Sequence, residues 1–370
     1  MEKQIIAICN DILFQNNDIS CKLMEDWDEK EWEFAHTFTA QQGLLTILAS
    51  QFQKIRVNSP DVKNVILSWF GEAETAKQLY YTRKGVMKEL AEILQREGID
   101  ILFMKGATLA QLYPKQDWRM FSDIDYYLYG KSESGISILE RYGVRTIEYE
   151  HHHTQASFKG VLIENHYDFF DCENHQCNHV LDTAMKELAE TEGKSNRFLF
   201  DGSNIHNAYC MTPTMNAIFL MRHMSAHFVA ETIPLRMLYD WSLFLKNYSI
   251  SVNWDTVLSL YEKSGMLTFA ELVQYIITEK MNIRIEGCPV NKNSHDIADE
   301  VWESLFLTPA INPYKKYSLR YNIYETKTFI KNRWKHKIVY PNESYLMLFL
   351  SYVWLRTKRK LGILSHGAHE

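Results

Sequence analysis

The residues best suited to chemistry lie in Ser122-Asp123-Ile124-Asp125-Tyr126-Tyr127-Leu128. If this run is a β-strand, alternation puts Asp123 and Asp125 on one face and Ile124 and Tyr126 on the other. Two like carboxylates that close repel each other, and burial makes the repulsion costly. A divalent cation between them removes that cost. An all-oxygen ligand set suits Mg²⁺ or Mn²⁺, ions that also bind substrate phosphates. Upstream, Met104-Lys105-Gly106-Ala107-Thr108 falls where a strand gives way to a short helix. Glycine lets a phosphate approach the backbone there, a helix start offers free N–H donors, and Lys105 adds a point charge. Arg119, shortly before the aspartates, offers a fork to a β- or γ-phosphate.

These side chains need a sheet to hold them. Residues 99–104 form a short apolar run that reads as a buried strand, and residues 123–129 are rich in β-formers. Residues 144–149 and 161–169 complete the expected strands, with a short helix at 107–112 between the first two. On both sides the pattern turns helical. Asn58-Ser59-Pro60-Asp61 reads as a helix start, Val86, Leu90, Ile93 and Leu94 recur at helical spacing, and Gly98 ends the run. Thr212-Pro213 opens another helix through Met215, Ile218, Phe219, Met221 and Met224. Asn253-Trp254-Asp255 opens one that stops near Gly265. The expected fold class is α+β, with a small mixed sheet core at 98–204 between helical regions at 1–97 and 205–370.

Composition bounds the reading. A chain of 370 residues is long for one ordinary domain, and 46% hydrophobic content is ample for real cores. Few glycines (15) and prolines (8) favour helices over a turn-rich β fold. A net charge of −6 argues against coating nucleic acid through bulk charge. The six cysteines, at 9, 21, 172, 177, 210 and 288, are scattered and form no dense secreted framework. No cleavage site follows the amphipathic opening segment, and the apolar run at 345–355 is about half a bilayer span. The expectation is a cytoplasmic protein without a transmembrane segment.

Several groups have ordinary readings. Cys172, His175, Cys177 and His179 crowd four soft ligands into eight positions, which strains a tetrahedral zinc shell, so a polar loop is the reading. His151-His152-His153 reads as a solvated loop. His223 and His227 share a helix face four residues apart and read as packing. Arg356, Lys358, Arg359 and Lys360 read as the solvated end of a terminal helix.

Strand, small-residue turn, short helix and Asp-x-Asp on the next strand is the order found in the nucleotidyltransferase superfamily. More closely, MKGATLAQLYP…WRMFSDIDYYL resembles an uncharacterised bacterial nucleotidyltransferase family carrying Lys-Gly, Leu-Tyr-Pro, Arg and Ser-Asp-Ile-Asp in that order. In that family a later strand supplies an acid followed two positions on by histidine. Ile163-Glu164-Asn165-His166-Tyr167 matches, which selects Glu164 over its strand-face neighbour Asp168. His223-x-x-x-His227 with Arg236 and Asp240 resembles the family's helical part. The sharp motifs cover residues 100–170, with weaker similarity to 260. Two departures stand out: a Lys-Gly turn where the superfamily carries Gly-Ser or Gly-Gly, and a glutamate followed by Asn165 as third acid.

The resemblance implies that Asp123, Asp125 and Glu164 are catalytic and hold Mg²⁺ or Mn²⁺. It implies that Lys105, Gly106, Arg119, Ser122 and His166 contact the nucleotide phosphates. The reaction would move a nucleoside monophosphate from an NTP, ATP being the expected one, to a hydroxyl on a small molecule, protein or RNA end. The alternative is a non-catalytic nucleotide-binding or protein-interaction module that keeps the fold.

Overall fold

Capping chemistry sets the N-terminal helices. In a computed structural model, residues 1–15, 19–291, 297–306, 313–315 and 318–360 are described. The side chains of the basic run at 356–360 lie outside them. Five helices come first: α1 (Glu2–Asn10), α2 (Ile19–Glu25), α3 (Glu29–Gln42), α4 (Leu45–Ala49) and α5 (Pro60–Arg96). Asp28 and Glu31 form a reciprocal capping box at the start of α3. Ser59 caps α5 through the Val62 N–H, with Pro60 in the first turn.

The sheet follows. Its elements are β1 (Ile101–Met104), α6 (Gly106–Ala110), β2 (Asp123–Tyr127), α7 (Ser132–Arg141), β3 (Arg145–Tyr149), β4 (His153–Phe158), β5 (Val161–His166), α8 (Asn178–Thr191) and β6 (Ala208–Cys210). The six strands lie in the order β3-β4-β5-β2-β1-β6. The β1–β6 and β2–β5 pairs are parallel, while β1–β2, β4–β5 and β3–β4 are antiparallel. The sheet is mixed, as expected, but holds two more strands than the sequence suggested. The hairpin from β4 to β5 turns on Lys159-Gly160, both at positive φ (51° and 77°). That is the two-residue turn geometry whose usual signal is Asn-Gly. β6 has only three residues and leaves little pattern to read.

Helices resume with α9 (Pro213–Ala230), α10 (Leu235–Tyr248), α11 (Trp254–Lys263), α12 (Leu267–Tyr275), α13 (Ala298–Ser304), α14 (Leu319–Lys331), α15 (Arg333–Val339) and α16 (Tyr345–Lys360). Among the described residues, no helix is long and apolar enough to cross a membrane.

Strand alternation separates two cores. Ile101, Phe103, Ile124, Tyr126 and Ile163 pack with Leu90, Ile93 and Leu94 from the second half of α5. Leu102, Met104, Tyr127 and Tyr209, on the opposite face, join a larger cluster. That cluster also takes in α1, α3, α4, the first half of α5, and α8 to α10. Helices from the two ends of the chain thus share one core with the face that carries the aspartates. Polar ties cross the same boundary. Gln42 donates to the Leu305 carbonyl (3.1 Å) and accepts from the Leu235 N–H (2.8 Å). Replacing it leaves two buried backbone groups unpaired. Gln42→Ala should therefore lower unfolding free energy by about 1–3 kcal/mol. Urea denaturation measures this, and an unchanged midpoint would show that the two ends are not mechanically joined there.

Candidate active site

The parallel register of β2 and β5 decides which acids meet. Asp125 lies opposite Glu164 and Asp123 opposite Leu162, so the carboxylates of Asp123, Asp125 and Glu164 share a sheet face. On the far side of β5, His153 of β4 pairs with His166, and Gln155 with Glu164. Asp125 is 1% exposed. Its Oδ1 is 2.8 Å from Lys105 Nζ and 3.2 Å from His166 Nε2. Its buried Oδ2 has no hydrogen-bond partner among the described residues. Glu164 Oε1 accepts from Gln155 (3.1 Å), while Oε2 stands 3.9 Å from His166 Nε2.

The two acids titrate in opposite directions. Burial works against ionising Asp125, but Lys105 and His166 outweigh it and hold the carboxyl well below its usual range. Burial, and then the Asp125 charge, push Glu164 up to about 8. For Lys105, burial opposes the charge, and the charges of Asp125 and Asp123 overcome it and raise the pKa.

The turn that delivers Lys105 is strained. Lys105 has φ 47° and ψ −144°, and Gly106 follows at φ 43°. For a residue with a side chain this region costs about 1–3 kcal/mol. A Cβ on Gly106 would stand 3.1 Å from the Phe121 ring, so the position also needs glycine for space. Thr108 Oγ1 donates to the Lys105 carbonyl (2.6 Å), and Arg119 Nη1 donates to the Gly106 carbonyl (3.0 Å).

Arg119 corrects an expectation. Its guanidinium is 3% exposed and does not reach out as a fork for phosphate. Nε and Nη2 donate to the two carboxylate oxygens of Asp240 at 2.8 Å each. Tyr113 Oη donates to Asp240 Oδ1 (2.8 Å), and Arg236 Nη1 lies 3.4 Å from Oδ2. Arg119 braces the turn against α10. Ser122 is exposed and donates to Asp123 Oδ1 (3.2 Å). His166 lines the cleft beside the carboxylates, with Nδ1 3.3 Å from the Asp168 carbonyl. The Asp168 side chain pairs with Lys186 and stays out of the group.

Histidines that sequence reasoning set aside line the site. A cleft of about 1020 Å³ runs from Lys105, Asp123, Glu164 and His166 out to α9, α14 and α15. A second chamber, about 140 Å³, lies behind Gly106, Ser122 and Asp123. The two share Lys105, Asp123, His223 and His227 as wall. His223 and His227 thus face the cleft instead of only packing their helix. His153 is buried at the head of β4, and with His152 it lines the cleft, so neither belongs to a solvated loop. Burial, then the neighbouring His166, lowers His152 to about 2 and His153 to about 3. Burial, then Lys105, lowers His227 to about 4. These rings stand neutral at ordinary pH. His175 pairs with Glu343 (3.0 Å), which also accepts from the Cys177 N–H (2.9 Å), and stacks on Tyr340, 3.8 Å between ring centroids.

The donor set fits a divalent cation. One ligand atom each from Asp125, Glu164 and His166 lies within 4.8 Å of the others, and Asp125 Oδ2 is buried without a partner. A mixed sheet with Asp-x-Asp on the strand after a Lys-Gly turn, and a third acid on its parallel neighbour, has the form of a nucleotidyltransferase core. Residues 28–282, more than half of the chain, match the family described as uncharacterised nucleotidyltransferase, and the chain belongs to that family. No curated protein and no solved structure matches it.

Two outcomes follow from this geometry. Arg119→Ala takes the bidentate partner from the buried Asp240, leaving it Tyr113 and the more distant Arg236, so stability should fall by about 3–5 kcal/mol, read by thermal and urea unfolding. A variant with wild-type stability would mean that Arg119 is free for ligand. The second concerns Glu164, whose folded pKa lies above its unfolded value of 4.5. Between about pH 4.5 and 8 the folded state holds a proton that the unfolded state has released, so this contribution to stability is lost as pH rises. Glu164→Gln removes that loss. In chelator, the variant should gain stability relative to wild type from pH 5 to pH 9, and parallel pH profiles would contradict the raised pKa.

Proposed function

We propose that the protein transfers a nucleoside monophosphate from an NTP, with ATP as the donor, to a hydroxyl-bearing acceptor, releasing pyrophosphate. The observation that carries this reading is the β2–β5 register, which sets Asp123, Asp125 and Glu164 on one face beside Lys105. Asp123, Asp125 and Glu164 are the residues that would hold Mg²⁺ or Mn²⁺. When bound, such an ion neutralises phosphate charge and so stabilises the charge that develops during transfer.

The chain's own residues do the rest. Lys105 places an ammonium beside Asp123 and Asp125, where a triphosphate needs positive charge. The Gly106 turn lets the phosphates approach the backbone. Glu164 orients the acceptor hydroxyl and, in its ionised form, takes its proton as the oxygen bonds to the α-phosphorus. The bond from the α-phosphorus to the bridging oxygen breaks, and that oxygen leaves with pyrophosphate. Two chambers meeting at Lys105 and Asp123 support the reading, since the nucleotide and acceptor can approach from different sides.

One observation favours a second reading. Lys105 Nζ already pairs with Asp125 Oδ1 and neutralises part of the acidic group, which suits a nucleotide-binding module without turnover. Calorimetry with ATP, with and without Mg²⁺, tests binding. Affinity should depend on Mg²⁺, lose that dependence in Asp123→Ala, and fall by about 1–3 kcal/mol in Lys105→Ala. Equal affinities across these proteins would remove the assignment. Transfer of label from α-phosphate-labelled ATP, with pyrophosphate release, separates the readings: Mg²⁺-dependent binding without transfer selects the second.

A further inference from the structure

We propose that His152, His153 and His166 form a binding site for a borderline transition-metal cation, represented by Zn²⁺, beside the carboxylate group. One nitrogen from each ring lies within 4.8 Å of the other two. The ring centroids are 4.5 Å apart for His152–His153, 5.0 Å for His153–His166 and 5.3 Å for His152–His166. Three imidazoles gathered so closely need a reason. Packing alone does not supply one, because buried ring nitrogens without partners are destabilising.

His153 makes the case. It is 8% exposed, and neither ring nitrogen has a hydrogen-bond partner among the described residues. The Glu164 oxygen at 3.6 Å is beyond hydrogen-bond reach. His152 Nδ1 is likewise buried without a partner. His166 adds a separate sign. Its Nδ1 stands 3.3 Å from the Asp168 carbonyl and its Nε2 3.2 Å from Asp125 Oδ1, so the ring is fixed from both sides, and Nε2 would exchange its Asp125 contact for the ion. A ligating histidine is characteristically held in this way by its other nitrogen.

The ligand chemistry selects the ion. Imidazole suits Zn²⁺ and its neighbours in the transition series, whereas Mg²⁺ asks for oxygen. Phosphate is the wrong occupant, because three rings within these distances cannot all protonate without strong mutual repulsion. The site opens to the large cleft, so an ion has a path in and an exchangeable position facing substrate. Ser-Asp-Ile-Asp does not contribute a histidine, and the inference does not depend on nucleotidyl transfer.

Metal alone therefore tests it. Full-length, metal-stripped protein is titrated with Co²⁺, a spectroscopic substitute for Zn²⁺, in a large excess of Mg²⁺ and without nucleotide. One equivalent should develop visible absorption bands that Zn²⁺ removes and Mg²⁺ does not. Outer-shell partners alone are worth about 10–100-fold in affinity, so His153→Ala should weaken Co²⁺ binding by at least about 100-fold. His206→Ala, an exposed histidine elsewhere, controls for adventitious binding and should leave the titration unchanged. Should melting show that His153→Ala is unfolded, His152→Ala at the cleft wall decides, with a loss of at least about tenfold expected. Unchanged bands in folded His153→Ala or His152→Ala, an equal loss in His206→Ala, or displacement by Mg²⁺ would each overturn the proposal.

Discussion

The charge balance around Asp125 is the interaction on which the site depends. Parallel pairing of β2 with β5 forces Asp125 beside Glu164 in a buried setting, where two ionised carboxylates would repel strongly. The structure resolves this by giving Asp125 two cationic or hydrogen-bonding neighbours, Lys105 and His166, and leaving Glu164 with a raised pKa. One acid is kept ionised and the other is held near neutrality. Environments that drive paired acids apart in this way mark acid–base sites more often than structural ones.

Lys105 can serve only because its backbone is bent out of the common regions. The turn that bends it is held from behind by Arg119, and Arg119 is held by Asp240 on α10. The helical region after the sheet is thus part of the site's construction. The family match has the same extent, beginning at the N-terminal edge of α3 and running past α12. The sheet with its helices removed would lose the brace as well as one wall of the cleft.

How much of this was legible in the sequence depended on range. Asp-x-Asp in a strand places two carboxylates on one face through alternation alone, and Lys105-Gly106 marks its own turn. Glu164 was reached through the resemblance, since nothing local says that β5 runs parallel to β2. Arg119 was misjudged because charge is visible in a sequence and its partner, 121 positions away, is not. The histidines were missed for a related reason. His151-His152-His153 has the composition of a loop, and only the register of the hairpin around Lys159-Gly160 turns His153 inward against His166. A turn with Lys where Asn is customary hid that hairpin.

The same features set a demand on the flanking helices. A buried Asp125 oxygen and the buried His153 nitrogens, without hydrogen-bond partners among the described residues, and a lysine at positive φ each raise the energy of the folded chain. None can be relaxed without moving the groups that define the site. Their combined cost must be met by burial elsewhere, and the large cluster is where it is met. It draws on α1, α3, α4, half of α5 and α8 to α10, and closes over the acidic face through Leu102, Met104 and Tyr127. Residues far from the cleft in sequence, such as Trp32, Trp69 and Trp241, are fully buried in this cluster. Their contribution to function is indirect: they keep a strained, charge-crowded face folded long enough to be used.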